Sequence, residues 1–305
     1  FVRLLVATVL RRRGQIDAAL NSCLGRKLTP TAARQAQDLL RLGAAQLLFL
    51  KTPPHAAVDR MVALATGRRR GYAGLTNAVL RRLAREGEGL IAAQDAERLN
   101  TPDWLWRSWS DAYGEATARA IAAVHAAEPP LDLSLKGEPG DWAERLGAET
   151  LPTGTLRRPA ALGGAVAELP GYAEGAWWVQ DAAASLPARL LGPVAGLGVI
   201  ELGAAPGGKT AQLAAAGGRV VALDRSAQRL ERLRANLHRL GLTAETLAAD
   251  ATTWRPAEPA THVLLDAPCS ATGTLRRHPD IAWLKDPEDL PALVTFFLER
   301  YNVKF

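Results

Sequence analysis

Two polar stretches that follow apolar runs carry the residues of this chain that could do chemistry. Asp266 and Cys269 come directly after the apolar run His262–Leu265. A glycine-rich turn separates the apolar run Gly198–Leu202 from Lys209. The residues of this turn are Gly203, Ala204, Ala205, Pro206, Gly207 and Gly208. Glycines at a strand-to-helix turn let the backbone approach a ligand, and the first N–H groups of a helix bind anionic groups. The pattern therefore predicts a nucleotide-type ligand beside a carboxylate and a thiol.

Asp224 and Asp250 are further candidates for this site. Asp224 ends an apolar run about 20 residues after the turn, where a carboxylate accepts hydrogen bonds from an adenosine ribose. An acid at a strand end is by itself more often a turn residue, but the neighbouring glycine turn favours the ribose role. Asp250 ends a third run. It contacts an adenine edge or serves as a turn acid, and its spacing leaves both interpretations open.

The turn is assigned neither to a dinucleotide fingerprint nor to a Walker A loop. Ala205 stands where the fingerprint has its middle glycine, at the closest approach of the pyrophosphate. A nicotinamide dehydrogenase could use the same strands, but Ala205 and the pair Pro268–Cys269 argue against it. A free cysteine is often a small buried hydrophobe, whereas a strand-end loop near Lys209 favours a reactive thiol. His278 has no partners at metal-ligand spacing, so no metal site is predicted.

A regular alternation of strand and helix patterns positions these residues. Strands are predicted at 198–202, 219–223, 244–248 and 261–265, and helices at 208–216 and 226–240. Short strands separated by helices indicate a parallel sheet, in which ligands bind at the carboxyl ends of the strands. All of the candidate residues lie at that edge, so we predict an α/β domain.

Two other regions precede the α/β domain, which is predicted to span residues 177–305. Residues 1–127 place apolar residues at three- and four-residue steps, which indicates an all-helical domain. Residues 128–176 mix short apolar runs with glycine turns and indicate a small α+β segment. Basic clusters in the helical domain favour contact with RNA. They are Arg11–Arg13, Arg68–Arg70, and Arg81 and Arg82 with Arg85.

The composition is that of a basic globular protein. The 305 residues carry a net charge of +6 and a pI of about 9.7, which favours a polyanionic partner. Cys23 and Cys269 form neither a disulfide framework nor a metal cluster, so a reducing compartment is expected. The sequence shows no membrane-spanning run and no signal peptide. We therefore expect a cytoplasmic protein without membrane contact, with a monomer as the default.

Motifs in both halves of the chain resemble those of the RNA 5-methylcytosine methyltransferases. The branch they resemble is the Sun/Fmu-type, which carries a NusB-like RNA-binding domain. The methyltransferase motifs are Glu201–Thr210, Asp266–Gly273, Trp178–Ala184 and Leu275–Asp280, and the NusB-like motifs are Thr52–Val58 and Thr76–Arg82. The resemblance implies a Rossmann-like S-adenosylmethionine-dependent methyltransferase domain after an all-α NusB-like domain and the small α+β segment.

The resemblance also implies a reaction. S-adenosylmethionine would be the methyl donor and a cytosine of small-subunit (16S) rRNA the acceptor. Residues 203–209 would hold the methionine end of the donor, Asp224 its ribose and Asp250 its adenine side. Asp266 would lie between donor and base. In this family a cysteine thiolate adds to C6 of cytosine, which activates C5 toward the methyl group, and the base leaves its stack to enter the site.

The family uses two cysteines, and the resemblance gives Cys269 the role of assisting product release. The attacking cysteine belongs to a later Thr-Cys motif, which this sequence does not contain. We therefore expect a chain that is incomplete at both ends, ends after the fourth strand of its sheet and lacks the attacking thiol. The stretch Thr295–Phe305 also departs from the helix expected there.

Two alternatives stay open. In the first, Cys269 is itself the attacking thiol, as the equivalent cysteine is in DNA cytosine-C5 methyltransferases. In the second, the chain is a non-catalytic RNA-binding protein with a degenerate methyltransferase domain.

Overall fold

Helices fill the first part of the chain, and strands alternate with helices in most of the rest. The structure, a computed structural model, describes residues 1–25, 30–65 and 70–301. The helices are α1 (Val2–Arg11), α2 (Arg13–Cys23), α3 (Pro30–Leu48), α4 (Pro54–Ala65), α5 (Ala73–Ala92), α6 (Ala96–Leu99), α7 (Asp103–Tyr113), α8 (Glu115–Ala126), α9 (Trp142–Leu146), α10 (Ala182–Leu190), α11 (Gly208–Ala215), α12 (Ala227–Leu240), α13 (Ile281–Leu284) and α14 (Asp289–Tyr301). The strands are β1 (Leu131–Leu135), β2 (Glu149–Thr150), β3 (Leu156–Arg158), β4 (Trp177–Val179), β5 (Gly198–Leu202), β6 (Arg219–Asp224), β7 (Glu245–Ala248) and β8 (His262–Leu265).

The described elements form two compact units. The first, called the helical unit here, contains Phe1–Glu128 together with Ala271–Glu288. The second, called the sheet unit, contains Pro129–Ser270 together with the residues from Asp289 onward. The domain boundaries that the sequence indicates at residues 127 and 176 remain predictions. They do not include the assignment of residues 271–288 to the helical unit.

The helical unit is built on the apolar faces that the three- and four-residue spacing predicts. Leu40 on α3 and Leu80 and Leu83 on α5 are fully buried in one core with Ile16. Gly43 lets α3 and α5 approach each other, because a Cβ at this position would lie 2.4 Å from Cδ1 of Leu80. All-helical structure is confirmed for the described part of residues 1–128. The predicted basic residues Arg68 and Arg69 lie outside the described residues.

The sheet unit contains the predicted parallel sheet, with the strand order β7-β6-β5-β8. Adjacent strands are parallel, and Leu202 pairs in register with Leu223 on one side and Leu265 on the other. Helix α12 buries its four leucines against this sheet. The predicted strand and helix positions are therefore confirmed to within two residues. Among the described residues β8 is an edge strand, on which Val263 is 55% exposed.

A second, antiparallel sheet completes the sheet unit, with the strand order β2-β3-β1-β4. Its core contains the fully buried residues Leu133, Leu156 and Trp177. Strand β4, which pairs with β1, extends this sheet beyond residue 176 and leads directly into α10. The small α+β segment is thus joined through its last strand to the helix that precedes the parallel sheet.

Helix α14 extends to Tyr301, so the expectation that the stretch from Thr295 departs from a helix is wrong for residues 295–301, and residues 302–305 lie outside the described residues. Good helix formers such as Leu290, Ala292 and Leu293 account for its first turns. In the part of the chain that the structure describes, no helix is long and apolar enough to cross a membrane.

A buried ion pair joins the two parts of the sheet unit and generates a stability prediction. The carboxylate of Asp132, which is 4% exposed, accepts two hydrogen bonds of 2.8 Å from Arg157 and one of 3.0 Å from the N–H of Ala182 at the start of α10. Asp132→Ala leaves the guanidinium and this N–H unpaired. We expect the free energy of unfolding to fall by about 2–3 kcal/mol in chemical denaturation. Asp141→Ala, at an exposed carboxylate 3.9 Å from Arg145, should leave it unchanged; equal effects would contradict this account.

Candidate functional site

The glycine turn after β5 and the loop after β8 leave the same edge of the parallel sheet in direct contact. Gly203 has a φ of +79°, and a Cβ there would lie 2.6 Å from the carbonyl oxygen of Asp266. The N–H of Asp266 donates to the carbonyl of Leu202 at 2.9 Å. A side chain at position 203 would therefore push the turn away from the loop, because backbone atoms have no rotamer in which to yield. The predicted ligand turn and the predicted Asp266–Cys269 loop are brought together.

The rest of the turn is tight and mostly buried. Ala204 and Ala205 are 4% and 3% exposed, and the N–H of Ala204 donates to the carbonyl of Leu223 at 2.8 Å. Gly207 caps α11 with a φ of +102°, and a Cβ there would lie 2.7 Å from Leu233. Pro206 is the exposed residue between them. The turn therefore presents backbone rather than side chains to a ligand at the N-terminus of α11, which begins at Gly208.

Lys209 links the turn electrostatically to the loop. Its Nζ lies 2.6 Å from Oδ2 of Asp266. The lysine side chain is 13% exposed, whereas the aspartate side chain is 49% exposed. The ion pair therefore holds the half-exposed carboxylate of the loop beside the start of α11.

The spacing of Gly203, Gly208 and Lys209 does match a Walker A loop, which the sequence interpretation set aside. The contacts of the two residues that would bind a nucleoside triphosphate and its metal argue against that function. Lys209 is paired with Asp266, and the hydroxyl of the fully buried Thr210 donates to Oε2 of Glu201 at 2.6 Å. In a Walker A loop the hydroxyl of this threonine binds Mg²⁺. In this chain the Thr210 hydroxyl donates instead to the buried carboxyl group of Glu201.

Asp224 lies beside the turn, and its carboxylate is only 5% exposed. It accepts hydrogen bonds from the N–H of Ala205 at 3.2 Å and the N–H of Ser226 at 2.9 Å. Arg229 on the first turn of α12 lies 3.4 Å from the same carboxylate and also donates to the carbonyl of Ala205. A carboxylate has about four acceptor positions. Asp224 therefore keeps acceptor capacity for hydroxyl groups, with Arg229 as a neighbouring countercharge.

Asp250 follows β7 at the same edge. Its carboxylate accepts from the N–H and the hydroxyl of Thr252 at 3.0 and 2.8 Å, and Nε of Arg225 lies 3.7 Å away. The N–H of Ala249 donates to the carbonyl of Asp224, which ties the two strand ends together. Asp250 thus serves as a turn acid. Its half-buried carboxylate follows β7, and Asp224 ends the neighbouring strand β6.

The two cysteines lie in opposite environments. Cys23 is buried in the helical unit, and Cys269 is exposed in the loop that follows Asp266. Within the described residues, no three histidine, cysteine or acidic side chains are grouped as a metal site requires.

Sequence reasoning missed Glu201 and Arg229, which contact residues of the predicted site. Glu201 is 1% exposed although it is an acid in an apolar strand, and that exception in the pattern is a signal that could have identified it. Burial raises the pKa of Glu201 to about 7 and the charge of Asp266 acts in the same direction, whereas the Thr210 hydroxyl and Lys209 oppose the shift. Arg229 shows no such signal, because its contact with Asp224 depends on how α12 packs.

A Rossmann-like parallel sheet with a glycine turn and strand-end carboxylates is the arrangement of a nucleotide- or donor-binding enzyme, and comparisons with known proteins specify the class. Residues 188–299 match the family described as 16S rRNA methyltransferase RsmB/F, and residues 1–85 match the NusB family. The chain therefore belongs to the RsmB/F family of 16S rRNA methyltransferases, as its relatives also show. The resemblance and the fold class predicted from the sequence are confirmed.

Two relatives support membership of this methyltransferase family. Ribosomal RNA small subunit methyltransferase B of Pseudomonas putida is 41% identical over 87% of this chain and 64% of that protein. The protein of the same name from Vibrio cholerae is 38% identical over 93% of this chain and 69% of that protein. The chain thus spans just under two thirds of the length of the Pseudomonas protein.

Two solved structures share the fold. PH0851 matches with a TM-score of 0.77 and 20% identity over 98% of this chain and 72% of that one. NSun6 from Pyrococcus horikoshii, solved with SFG, matches with a TM-score of 0.54 and 18% identity over 64% of this chain and 77% of that one.

The raised pKa of Glu201 predicts how stability depends on pH. Between about pH 4.5 and 7 the folded protein holds a proton on Glu201 that the unfolded chain has released, so stability falls as pH rises through this window. Glu201→Gln keeps an acceptor for Thr210 and removes the titration. We expect the difference in the free energy of unfolding between the variant and the parent protein, measured with urea, to change by on the order of 2 kcal/mol in favour of the variant as the pH rises from 5 to 8. Glu258→Gln, at an exposed acid, is the control and should show no such change with pH. If the free energies of unfolding of Glu201→Gln and the parent protein differ by the same amount at every pH, the raised pKa of Glu201 is contradicted.

Proposed function

We propose that this chain carries the donor site and catalytic loop of an S-adenosylmethionine-dependent enzyme that methylates C5 of a cytosine in small-subunit (16S) rRNA. The observation that carries the proposal is the contact between the glycine turn and the Asp266–Cys269 loop at one edge of the sheet. Membership of the RsmB/F family and the names of the Pseudomonas and Vibrio relatives support rRNA as the substrate. The net charge of +6 provides sequence-independent affinity for it.

The residues at this edge fit the donor in their chemistry. Residues 203–209 would surround its methionine end, with the first N–H groups of α11 as donors, because the N–H groups of Gly203, Ala204, Ala205 and Gly207 donate within the protein. Asp224 would accept the ribose hydroxyls, and Asp250 would lie on the adenine side. That the similar protein NSun6 was solved with SFG supports this class of cofactor. When bound, the donor supplies an electrophilic methyl group, and the half-exposed Asp266 would lie between donor and base.

The target carbon needs activation, because C5 of cytosine is a poor nucleophile. In the proposed reaction a cysteine thiolate adds to C6, and the enamine so formed attacks the methyl group through C5. Loss of the C5 proton and elimination of the thiolate then restore the ring. The base must first be unstacked, at a cost of a few kcal/mol that RNA binding offsets. Cys269 is assigned the second part of this cycle, assistance in releasing the product.

Because Cys269 is assigned to product release, a second thiol is required for the attack on C6. The 305 residues contain only Cys23 besides Cys269, and Cys23 is buried in the helical unit. We therefore propose that these 305 residues bind the donor and rRNA without completing methyl transfer. The rival proposal of a non-catalytic RNA-binding protein differs in one respect, because it requires no donor binding.

The role of Asp224 can be tested by donor affinity alone. Asp224→Asn keeps the size of the side chain and one oxygen acceptor but removes the charge that strengthens hydrogen bonds from the ribose hydroxyls. We expect the Kd for S-adenosylhomocysteine, measured by calorimetry, to rise by about tenfold or more. Asp141→Asn, at an exposed acid of the same unit, is the control and should leave the Kd unchanged. An unchanged Kd in Asp224→Asn, with the thermal midpoint preserved, would remove Asp224 from the site.

The role of Cys269 can be tested by methyl transfer. We expect no transfer of labelled methyl groups from S-adenosylmethionine to 16S rRNA by this chain, with or without the substitution Cys269→Ala. Activity in the parent chain that Cys269→Ala abolishes would show instead that Cys269 is the attacking thiol. Binding of rRNA without binding of the donor would favour the non-catalytic alternative.

A further inference from the structure

The side-chain amide of Gln180 is buried inside the sheet unit, where it joins the antiparallel sheet to two helices. Gln180 directly follows β4 and is 5% exposed. Its Oε1 accepts hydrogen bonds from the hydroxyl of Ser134 on β1 at 2.7 Å and from Nε1 of Trp178 on β4 at 3.0 Å. These two donors use both acceptor positions of the amide oxygen, so they fix the direction of the amide group.

The amide nitrogen of Gln180 contacts α10 and α11. Its Nε2 donates to Oε1 of Gln212 on α11 at 3.0 Å and to the carbonyl of Ala184 on α10 at 3.4 Å. The amide of Gln212 is oriented in turn, because its Nε2 donates to the carbonyl of Ser185 at 2.9 Å. The two glutamines therefore form a continuous chain of hydrogen bonds from β1 and β4 to α11.

This chain of hydrogen bonds reaches α11 close to the glycine turn. A Cβ on Gly208, the first residue of α11, would lie 3.7 Å from Cγ of Gln180, so Gln180 lies beside the start of the helix. Gln212 lies about one turn further along α11. The hydroxyl of Thr210 joins the same helix to Glu201 on β5. Helix α11 is thus held by one polar contact with β5 and by another with Gln180.

The two glutamines are better suited to fixing a position than to adding stability. Apolar side chains of the same shape in place of both would cost the fold little, because the net contribution of a buried hydrogen bond is only about 1 kcal/mol. Hydrogen bonds differ from apolar contacts in that each one sets a distance and a direction. Gln180 and Gln212 therefore fix where α11 begins and which way its first N–H groups point.

We propose that Gln180 is a positioning residue for the donor, which acts through Gln212 to fix the start of α11 and thereby the N–H groups that would bind the methionine end of S-adenosylmethionine. The consequence for the donor rests on the proposed function. The anchoring of α11 does not, because it can be measured in the free chain. The antiparallel sheet contributes to the donor site through the two hydrogen bonds of Ser134 and Trp178 to this amide.

The affinity for S-adenosylhomocysteine tests the positioning role. Gln180→Met and Gln212→Met each remove one amide of the link and keep the length of the side chain. The Kd measured by calorimetry should rise about fivefold in each. The double variant should raise the Kd no further than either single variant, because both residues act through one link.

Ser134→Ala is the matched control. It removes a buried hydrogen bond from the same amide on the side away from α11, and it leaves Trp178 to orient the amide. Ser134→Ala and Gln212→Met should lower the thermal midpoint by similar amounts, about 2–4 °C. Only Gln212→Met should raise the Kd. Hydrogen–deuterium exchange of the α11 amides in the free chain should rise about fivefold in Gln180→Met and Gln212→Met and stay unchanged in Ser134→Ala.

Two outcomes would overturn the proposal. In the first, the Kd follows the thermal midpoint in every variant, Ser134→Ala included, which would mean that the hydrogen bonds only stabilise the fold. In the second, Gln212→Met leaves both the Kd and the exchange of α11 unchanged, so that Gln180 does not act through it. Failure of the folded parent chain to bind S-adenosylhomocysteine would count against the proposed function instead, and the exchange of α11 would then decide the anchoring alone.

Discussion

The backbone of Gly203 packs against the carbonyl oxygen of Asp266, and the rest of the proposed site depends on this contact. It is possible because β5 and β8 are parallel neighbours in register, so that the segments after them leave the same edge of the sheet. Position 203 has a left-handed φ and no room for a Cβ. The turn that would bind the donor and the loop that would meet the base are therefore fixed relative to each other by backbone geometry.

Electrostatics reinforce this geometry. The carboxylates of Asp224 and Asp266 face the cations of Arg229 and Lys209, respectively, and below them Glu201 is buried against Thr210. Buried acids are costly unless they are paired or protonated, and here both solutions occur within one site. These pairs orient the carboxylates along the edge, so that hydroxyl or ammonium groups of a ligand would meet oriented acceptors.

The sequence predicts this site well where the signal is local. Apolar runs, the glycine turn and the strand-end acids indicated the parallel sheet and its edge, because periodicity and turn chemistry are properties of short segments. The order of the small antiparallel sheet and the contact of Arg229 with Asp224 depend on long-range packing. So do the contacts of Arg11 with the carbonyl of Arg276 and of Arg13 with the ring of Trp283. Charge alone cannot distinguish an arginine that binds RNA from one that makes contacts within its own domain.

The central claim is that the edge formed by residues 203–209, Asp224 and Asp266 binds S-adenosylmethionine. Calorimetric titration of the chain with S-adenosylmethionine, in competition with S-adenosylhomocysteine and with NAD, tests it most directly. The account predicts one site per chain that S-adenosylhomocysteine blocks and NAD does not. The absence of binding by a folded chain, or displacement by NAD, would contradict it.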